Sequence, residues 1–176
     1  MIYEAFLPVV QIQQILWYLK EARCLTAALP MEKQIEELVG EGEAISEKSP
    51  KELLSYDTSP FCSKAGELMK ELSRRISNAP GTRPGGTSCK NYMGKDLHGK
   101  NLAGTDFSMS YLIAANLEKS NLSGANFLGA DMRDANIKNT DLSQSLFLTQ
   151  MQINPAKGNL GTKLPDYIVR PEGWRD

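Results

Sequence analysis

The stretch that decides the fold runs from Lys90 to Thr149 and reads, in fives, KNYMG KDLHG KNLAG TDFSM SYLIA ANLEK SNLSG ANFLG ADMRD ANIKN TDLSQ SLFLT. Its twelve central residues are all apolar: Tyr92, Leu97, Leu102, Phe107, Leu112, Leu117, Leu122, Phe127, Met132, Ile137, Leu142 and Phe147. The residue before each centre is Asp or Asn in ten steps, with Tyr111 and Leu146 as exceptions. A period of five fits neither a helix nor a strand, so it marks an internal repeat that determines the fold.

The residue types of one step predict how its backbone and side chains are placed. The large central residue must be buried, and a small Ala, Ser or Thr two places earlier lets the wall approach the axis. Asp and Asn favour tight turns because they hydrogen-bond to nearby backbone groups. Phe107, Phe127 and Phe147 recur every 20 residues. Four steps per coil would stack these rings on one wall of a square solenoid, so the stretch predicts three coils.

This pattern resembles that of the pentapeptide-repeat proteins, Ala-Asp/Asn-Leu-x-x. The steps Ala125–Gly129 and Ala135–Asn139 carry it directly. The resemblance implies a right-handed quadrilateral β-helix over 90–149. The first coil departs from the pattern, because Lys90, Lys95 and Lys100 stand where a small inward residue belongs. An unpaired buried ammonium is costly, so we expect these lysines to reach out to solvent or the coil to be distorted.

Composition and charge narrow the function classes. The chain has 176 residues and a net charge of −1, and the repeat itself carries six basic and six acidic side chains. Such a balance does not suggest nucleic-acid binding or DNA mimicry. Cys24, Cys62 and Cys89 show no zinc or disulfide spacing, which favours reduced thiols. No apolar run is long enough for a membrane span and no signal peptide is evident, so we expect a cytoplasmic protein.

The first 78 residues predict an α-helical region, which makes the fold class α+β. Helices are expected over 2–28, 31–47, about 50–56 and 59–77, with Pro8 opening the regular part of the first and Gly40 and Gly42 weakening the second. Ser49-Pro50-Lys51-Glu52 is a capping box with proline at the first helical position. Residues 79–89 contain two prolines and three glycines and are predicted to be a linker.

Residues 150–176 are predicted to form a cap and an extended tail. Thr149 and Gln152 fit a capping box for a short helix that Gly158 would end. Leu148, Met151 and Ile153 are expected to close the open end of the solenoid.

Two flanking segments resemble one bacterial subgroup of the family, which has no assigned reaction. They are Phe6-Leu7-Pro8 with Leu16-Trp17-Tyr18-Leu19, and Leu146–Gln150 followed by Asn154, Lys157-Gly158, Leu164-Pro165 and Arg170-Pro171…Trp174. Longer members carry a cysteine cluster before the helical segment. The sequence is therefore expected to be either a short member or a truncated form.

Candidate catalytic and binding groups do not assemble into a site. His98 is the one histidine and occupies an outward position. Gly94-Lys95 and Gly99-Lys100 lack a complete phosphate-loop pattern. Asp131 and Asp134 form a candidate carboxylate pair near Arg133, which at a solenoid corner is usually solvated. We therefore predict no catalytic, cofactor-binding or metal-binding residues, and no enzymatic activity.

Two functions remain: a structural or protein-interaction module, and a gyrase-binding DNA mimic of the quinolone-resistance type. The short, neutral repeat disfavours the second. Six outward apolar residues form a candidate docking patch: Met109, Tyr111, Ile113, Leu128, Leu146 and Leu148. A contiguous apolar patch implies cover. We predict cover by the N-terminal helices together with the tail; the alternatives are the tail alone, through Leu160, Leu164, Tyr167, Ile168 or Trp174, and a self-dimer.

Overall fold

The computed structural model describes residues 2–78 and 91–175. It divides into two compact units, with the boundary between Ile76 and Ser77. The predicted linker 79–89 lies outside the described residues, as do Cys89, the first repeat residue Lys90, and Asp176. Each unit is described separately below.

The first unit is helical, as its sequence predicts. The helices are α1 (Ile2–Ala22), a 3-10 helix (Thr26–Met31), α2 (Glu32–Ser46), α3 (Pro50–Ser55) and α4 (Ser59–Ser77). The capping box of α3 is present, since Ser49 Oγ accepts the Glu52 N–H and the Glu52 carboxylate accepts the Ser49 N–H. Hydrogen bonds from the Ser49 side chain and backbone lower the pKa of Glu52.

Two expectations about α1 are wrong. The helix does not begin at Pro8 but includes it, and it ends at Ala22 rather than near residue 28. Residues 26–31 instead form a 3-10 helix that contains Pro30. A tighter, separate turn accommodates a proline better than the interior of a continuous α-helix does.

Gly42 is the point where three helices of this unit meet. A Cβ atom at Gly42 would lie 2.7 Å from Leu16 Cδ2 of α1 and 2.8 Å from Phe61 Cζ of α4. Leu16 and Phe61 are both buried. The glycine therefore permits close packing of α2 against its neighbours rather than only weakening the helix, which corrects the sequence-based interpretation.

A pair of alanine substitutions separates these two effects of glycine. At Gly40, two residues earlier in α2, an added Cβ would meet no atom within 4 Å. Gly40→Ala is expected to stabilise the protein by about 0.5–1 kcal/mol because alanine is the better helix former. Gly42→Ala is expected to destabilise it by about 1–3 kcal/mol because the core is overpacked. Urea unfolding of both variants measures this, and equal effects of the same sign would contradict it.

The second unit is a ladder of parallel bridges between residues about 20 positions apart. Four columns are formed: Asn91–Tyr111–Asp131, Asp96–Asn116–Asn136–Lys157, Asn101–Asn121–Asp141–Lys163 and Asp106–Asn126–Leu146. We call these walls 1 to 4. Four walls with a 20-residue repeat make a quadrilateral solenoid of isolated bridges, each only one residue long.

Tight turns connect the walls. In eleven steps the N–H three residues after the centre donates to the carbonyl of the centre, as Ser110 does to Phe107 at 3.1 Å. The third turn residue has a positive φ in ten steps, and five of these residues are glycines. A positive φ at this position is the requirement of a type II turn. Met109, Ala114 and Lys119 adopt it despite their Cβ atoms, so the coil is maintained against a local cost at these corners.

The Asp and Asn residues before the centres all accept a hydrogen bond from the backbone of the turn that follows. In each of the ten steps that have one, its Oδ1 accepts the N–H two residues later, as Asp106 does from Ser108 at 2.9 Å. Asn side chains also bond between layers, for example Asn136 Nδ2 to Asn116 Oδ1 at 3.1 Å. The repeat thus encodes its own turns.

The twelve centres form the core of the solenoid. Ten are buried, whereas Tyr92 and Leu102 are half-buried and pack against the core. These two belong to the first coil, which has a repeat coil on one side only. Phe107 and Phe127 stack with centroids 5.5 Å apart. Lys95 and Lys100 are exposed, and Lys95 Nζ lies 5.1 Å from the Tyr92 ring centroid, so the lysines reach solvent without breaking the ladder.

The chain after Thr149 is a folded layer rather than an extended tail. It begins with α5 (Gln150–Ile153), whose Thr149–Gln152 capping box is present, and two of its residues, Lys157 and Lys163, extend walls 2 and 3. The helix ends at Ile153 and is capped by Asn154, so Gly158 is not its stop. Gly158 instead lies against the Trp174 indole, where a Cβ would collide with the ring. We call residues 150–175 the C-terminal layer.

Side chains of this layer donate hydrogen bonds to backbone carbonyls of the second and third coils. Gln152 Nε2 donates to the carbonyls of Phe127 and Ala130 at 2.8 and 2.9 Å. Thr162 Oγ1 donates to the Ile137 carbonyl at 2.9 Å. Leu148, Ile153, Ile168 and Trp174 join the core cluster, whereas Met151, expected to be inward, is exposed.

Candidate interaction surface

Walls 2 and 3 present polar columns whose side chains are already engaged. Their Asp and Asn residues hold the turns, and Lys157 and Lys163 pair with Asp134 and Asp141 at 2.9 and 3.1 Å. Hydrogen bonds from Ser143 and then Lys163 lower the pKa of Asp141. Many polar side chains of these two walls are therefore already engaged within the solenoid.

The corner of walls 4 and 1 differs because apolar residues face solvent there. Met109 is 63% exposed and Tyr111, one of the two exceptions to the Asp/Asn rule, is 46% exposed. Ile113 and Leu146, the other exception, are half-buried. Met109 at the corner lies over Gly129 in the next coil, so its side chain has a fixed neighbour. We call Met109, Tyr111, Ile113 and Leu146 the lateral surface.

Two of the six predicted patch residues are not on this surface. Leu128 and Leu148 are buried, and Leu148 belongs to the core cluster. The regular register places both on the outside of wall 4. At Leu148 the register has already failed, because Phe147 has a φ of 56° where regular centres are not left-handed. The apolar surface is therefore smaller than the sequence indicates.

A single ion pair borders the lateral surface. Asp131, bridged to Tyr111 on wall 1, receives bonds from Arg133 Nε at 2.9 Å and from its terminal nitrogen at 2.6 Å. The hydrogen bond from Arg133 lowers the pKa of Asp131. Asp134 pairs with Lys157 instead, so the two carboxylates of the candidate pair have separate basic partners.

The remaining candidates stay apart from one another. His98 is exposed on wall 2, and Gly94 and Gly99 occupy ordinary turn positions with positive φ. Across 2–78 and 91–175, no three His, Cys, Asp or Glu side chains are grouped so that they could hold a metal ion. Cys24 and Cys62 are free thiols. None of the helices in the described part has the length and apolarity needed to cross a membrane.

A second apolar surface was missed by sequence reasoning. Met151, Leu160, Tyr167 and Val169 of the C-terminal layer are all exposed. The tail was expected to cover the lateral surface, but its Ile168 and Trp174 pack into the core at the end of the solenoid. Tyr167, Ile168 and Val169 are all apolar in the sequence, so nothing in it indicates that the first and third are exposed while the second is buried.

The geometry is that of a quadrilateral β-helix, and comparison with known proteins finds pentapeptide repeats in part of it. Residues 110–147 match the family model "Pentapeptide repeats" in eight copies. The predicted repeat is thereby confirmed over those residues, and the parallel bridges confirm the solenoid. Among curated proteins, none matches the chain.

Several solved pentapeptide-repeat proteins are similar to this chain. Rfr23 from the cyanobacterium Cyanothece 51142 is 26% identical, with 44% of this chain and 52% of that chain covered and a TM-score of 0.40. HetL from Nostoc sp. strain PCC 7120, a protein involved in heterocyst differentiation regulation, is 28% identical, with 50% and 40% covered and a TM-score of 0.38. A protein of the Arabidopsis thaliana thylakoid lumen is 28% identical, with 51% and 66% covered and a TM-score of 0.25.

Proposed function

We propose that this chain is a non-enzymatic interaction module whose β-helix presents the lateral surface to a protein partner. The exposed Tyr111, in a bridge column whose other members are Asn91 and Asp131, carries the proposal. A half-exposed tyrosine held by the ladder is a rigid amphipathic anchor, the type of residue that dominates binding energy at protein interfaces. We further propose three right-handed coils over 90–149 and a cytoplasmic location.

The rigid backbone at Tyr111 supports the proposal that this residue is an anchor. The Tyr111 carbonyl accepts the Tyr92 N–H at 2.8 Å, and residue 111 is bridged to both the coil below and the coil above. An anchor fixed in this way loses little conformational entropy on binding. The adjacent Asp131–Arg133 pair supplies the polar rim expected around such an anchor.

Replacing Tyr111 and Ile113 together by serine tests this proposal. The double variant is expected to lose at least about tenfold in partner affinity, the effect of removing one hot-spot side chain. Tagged protein would be used to capture partners from bacterial lysate, and the affinity of each captured protein would be measured. Glu118→Ala, on wall 2, is the control and should bind as the parent does. Partners that bind the double variant equally well would contradict the lateral surface.

The same double variant tests the sequence-based prediction that the helical half covers this patch. In that case hydrogen exchange across residues 2–77 would increase in the variant while the β-helix ladder stays protected. Unchanged exchange across the helices, combined with lost partner binding, favours an external partner.

The alternative function is that of a DNA-mimicking gyrase-binding protein. A duplex mimic needs a long run of negative charge, and the repeat carries equal numbers of acidic and basic side chains. Purified protein is therefore expected neither to inhibit gyrase supercoiling nor to protect the enzyme from quinolones. Activity in that assay at low micromolar concentration would favour the alternative.

A further inference from the structure

The C-terminal layer has an apolar outer face. Met151, Leu160, Tyr167 and Val169 are each about half exposed or more, and Val169 reaches 74%. A layer that only closes a solenoid should present a polar face to water. This one presents four large apolar side chains, so closing the core is not its only role.

Reciprocal hydrogen bonds hold Val169 in place. Gln150 Nε2 donates to the Val169 carbonyl and Gln150 Oε1 accepts the Val169 N–H, both at 2.8 Å. Because Gln150 precedes Met151 in α5, these two bonds bring the Met151 and Val169 segments together. The backbone of Val169 is fully engaged while its side chain faces solvent.

A second pair of hydrogen bonds connects the backbone around Leu160 to the segment that contains Val169. Arg170, next to Val169, donates from one terminal nitrogen to the Asn159 carbonyl and from the other to the Thr162 carbonyl, the latter at 2.9 Å. These carbonyls flank Leu160. Met151 and Leu160 therefore follow residues that are bonded to one segment, 167–170, which itself contains Tyr167 and Val169. We call these four apolar residues the end surface.

We propose that the end surface binds the end surface of a second copy of this chain, which gives a two-fold dimer. Four side chains of this size and exposure present on the order of 400 Å², the size of a functional patch. A stable complex buries about 800 Å² on each partner, so the end surface supplies the apolar centre and the surrounding polar residues supply the rim.

The charge of the layer favours a second copy over a charged partner. Residues 150–176 carry four basic and three acidic side chains. Lys157 and Lys163 are paired with Asp134 and Asp141, and Arg170 is bonded to carbonyls. Two such faces meet with little like-charge repulsion, while a nucleic acid or an acidic peptide would find these three cations already engaged.

Sedimentation equilibrium of the full chain over a range of concentrations tests the proposal. The parent protein is expected to dimerise with a micromolar Kd. Val169→Glu is expected to raise that Kd at least tenfold, since a two-fold interface contains the change twice. Only the backbone of Val169 makes the described hydrogen bonds, so the layer should stay folded, and an unchanged melting temperature confirms this. If that variant unfolds, Met151→Ser replaces it.

Met109→Glu, on the lateral surface, is the matched control and should leave the Kd within about twofold. A parent protein that stays monomeric up to about 1 mM would overturn the proposal. So would a folded Val169→Glu protein with an unchanged Kd, or a Met109→Glu protein that dissociates. These results are independent of the partner-capture experiment, because that experiment changes only Tyr111 and Ile113.

Discussion

A Leu122→Asp variant is expected to lose its β-helix. Leu122 has no exposed surface, and it lies between the first coil and the last, with its N–H bonded to the Asp141 carbonyl. The substitution removes a buried leucine and places a carboxylate among the apolar side chains of the core cluster. The cost is at least ~4 kcal/mol, a large part of the stability of a typical domain.

The neighbouring Ser123→Asp substitution is the control for this prediction. Ser123 is half-exposed on wall 3 and points away from the core. The same carboxylate there should cost less than about 1 kcal/mol. Hydrogen exchange of the ladder amides, with urea unfolding, distinguishes the two variants. A Leu122→Asp protein with the exchange pattern and unfolding midpoint of the parent would show that the centres do not form the core.

The repeat was predictable from the sequence because nearly every five-residue step has the same pattern of residue types. An apolar centre, a small residue and an Asp or Asn each have one physical role in every step, and successive coils pair residues 20 positions apart. The two exceptions to the Asp/Asn rule, Tyr111 and Leu146, are exposed and half-buried respectively, next to the corner of walls 4 and 1. The positions of α2, α3 and α4 followed from apolar periodicity and capping signals, whereas the end of α1 and the 3-10 helix did not.

The C-terminal layer was not predictable because its contacts are long-range. Gln152 reaches carbonyls more than 20 residues away, and Thr162 reaches one 25 residues away. No local pattern encodes such pairs, and prolines in the tail indicate only turns. Gly42 was misinterpreted for the same reason, since its neighbours Leu16 and Phe61 come from other helices.

The candidate site was predicted in part. Register alone placed Leu128 and Leu148 outside, on the assumption that the chain remains regular up to Thr149. The left-handed φ at Phe147 ends that regularity two residues earlier, which accounts for Leu148, whereas Leu128 is buried within a regular step. Exposure at the boundary between a repeat and its cap depends on how the cap folds, and the four residues of the end surface were missed for the same reason.

A Trp174→Ala variant is expected to release the C-terminal layer from the solenoid. The indole is buried, lies against Gly158, and donates from Nε1 to the Ala156 carbonyl at 3.2 Å. Truncating a buried tryptophan costs about 3–5 kcal/mol. The layer closes one end of the ladder, so this cost should appear as local opening of the layer before the whole unit unfolds.

Two amides report on that opening. The Lys157 N–H donates to the Ala135 carbonyl at 2.8 Å and the Lys163 N–H donates to the Thr140 carbonyl at 2.9 Å. Both should lose protection from hydrogen exchange in Trp174→Ala. The Leu117 N–H, bonded to the Asn136 carbonyl inside the repeat, should keep most of its protection.

Two further substitutions separate packing from hydrogen bonding at this position. Trp174→Phe keeps most of the apolar contact and loses the indole N–H, so it should cost less than Trp174→Ala by ~2 kcal/mol or more. Gly158→Ala should resemble Trp174→Ala, because the added methyl group displaces the ring. Retained protection at Lys163 in both Trp174→Ala and Gly158→Ala would show that the layer is held by its other contacts, with the indole contributing little.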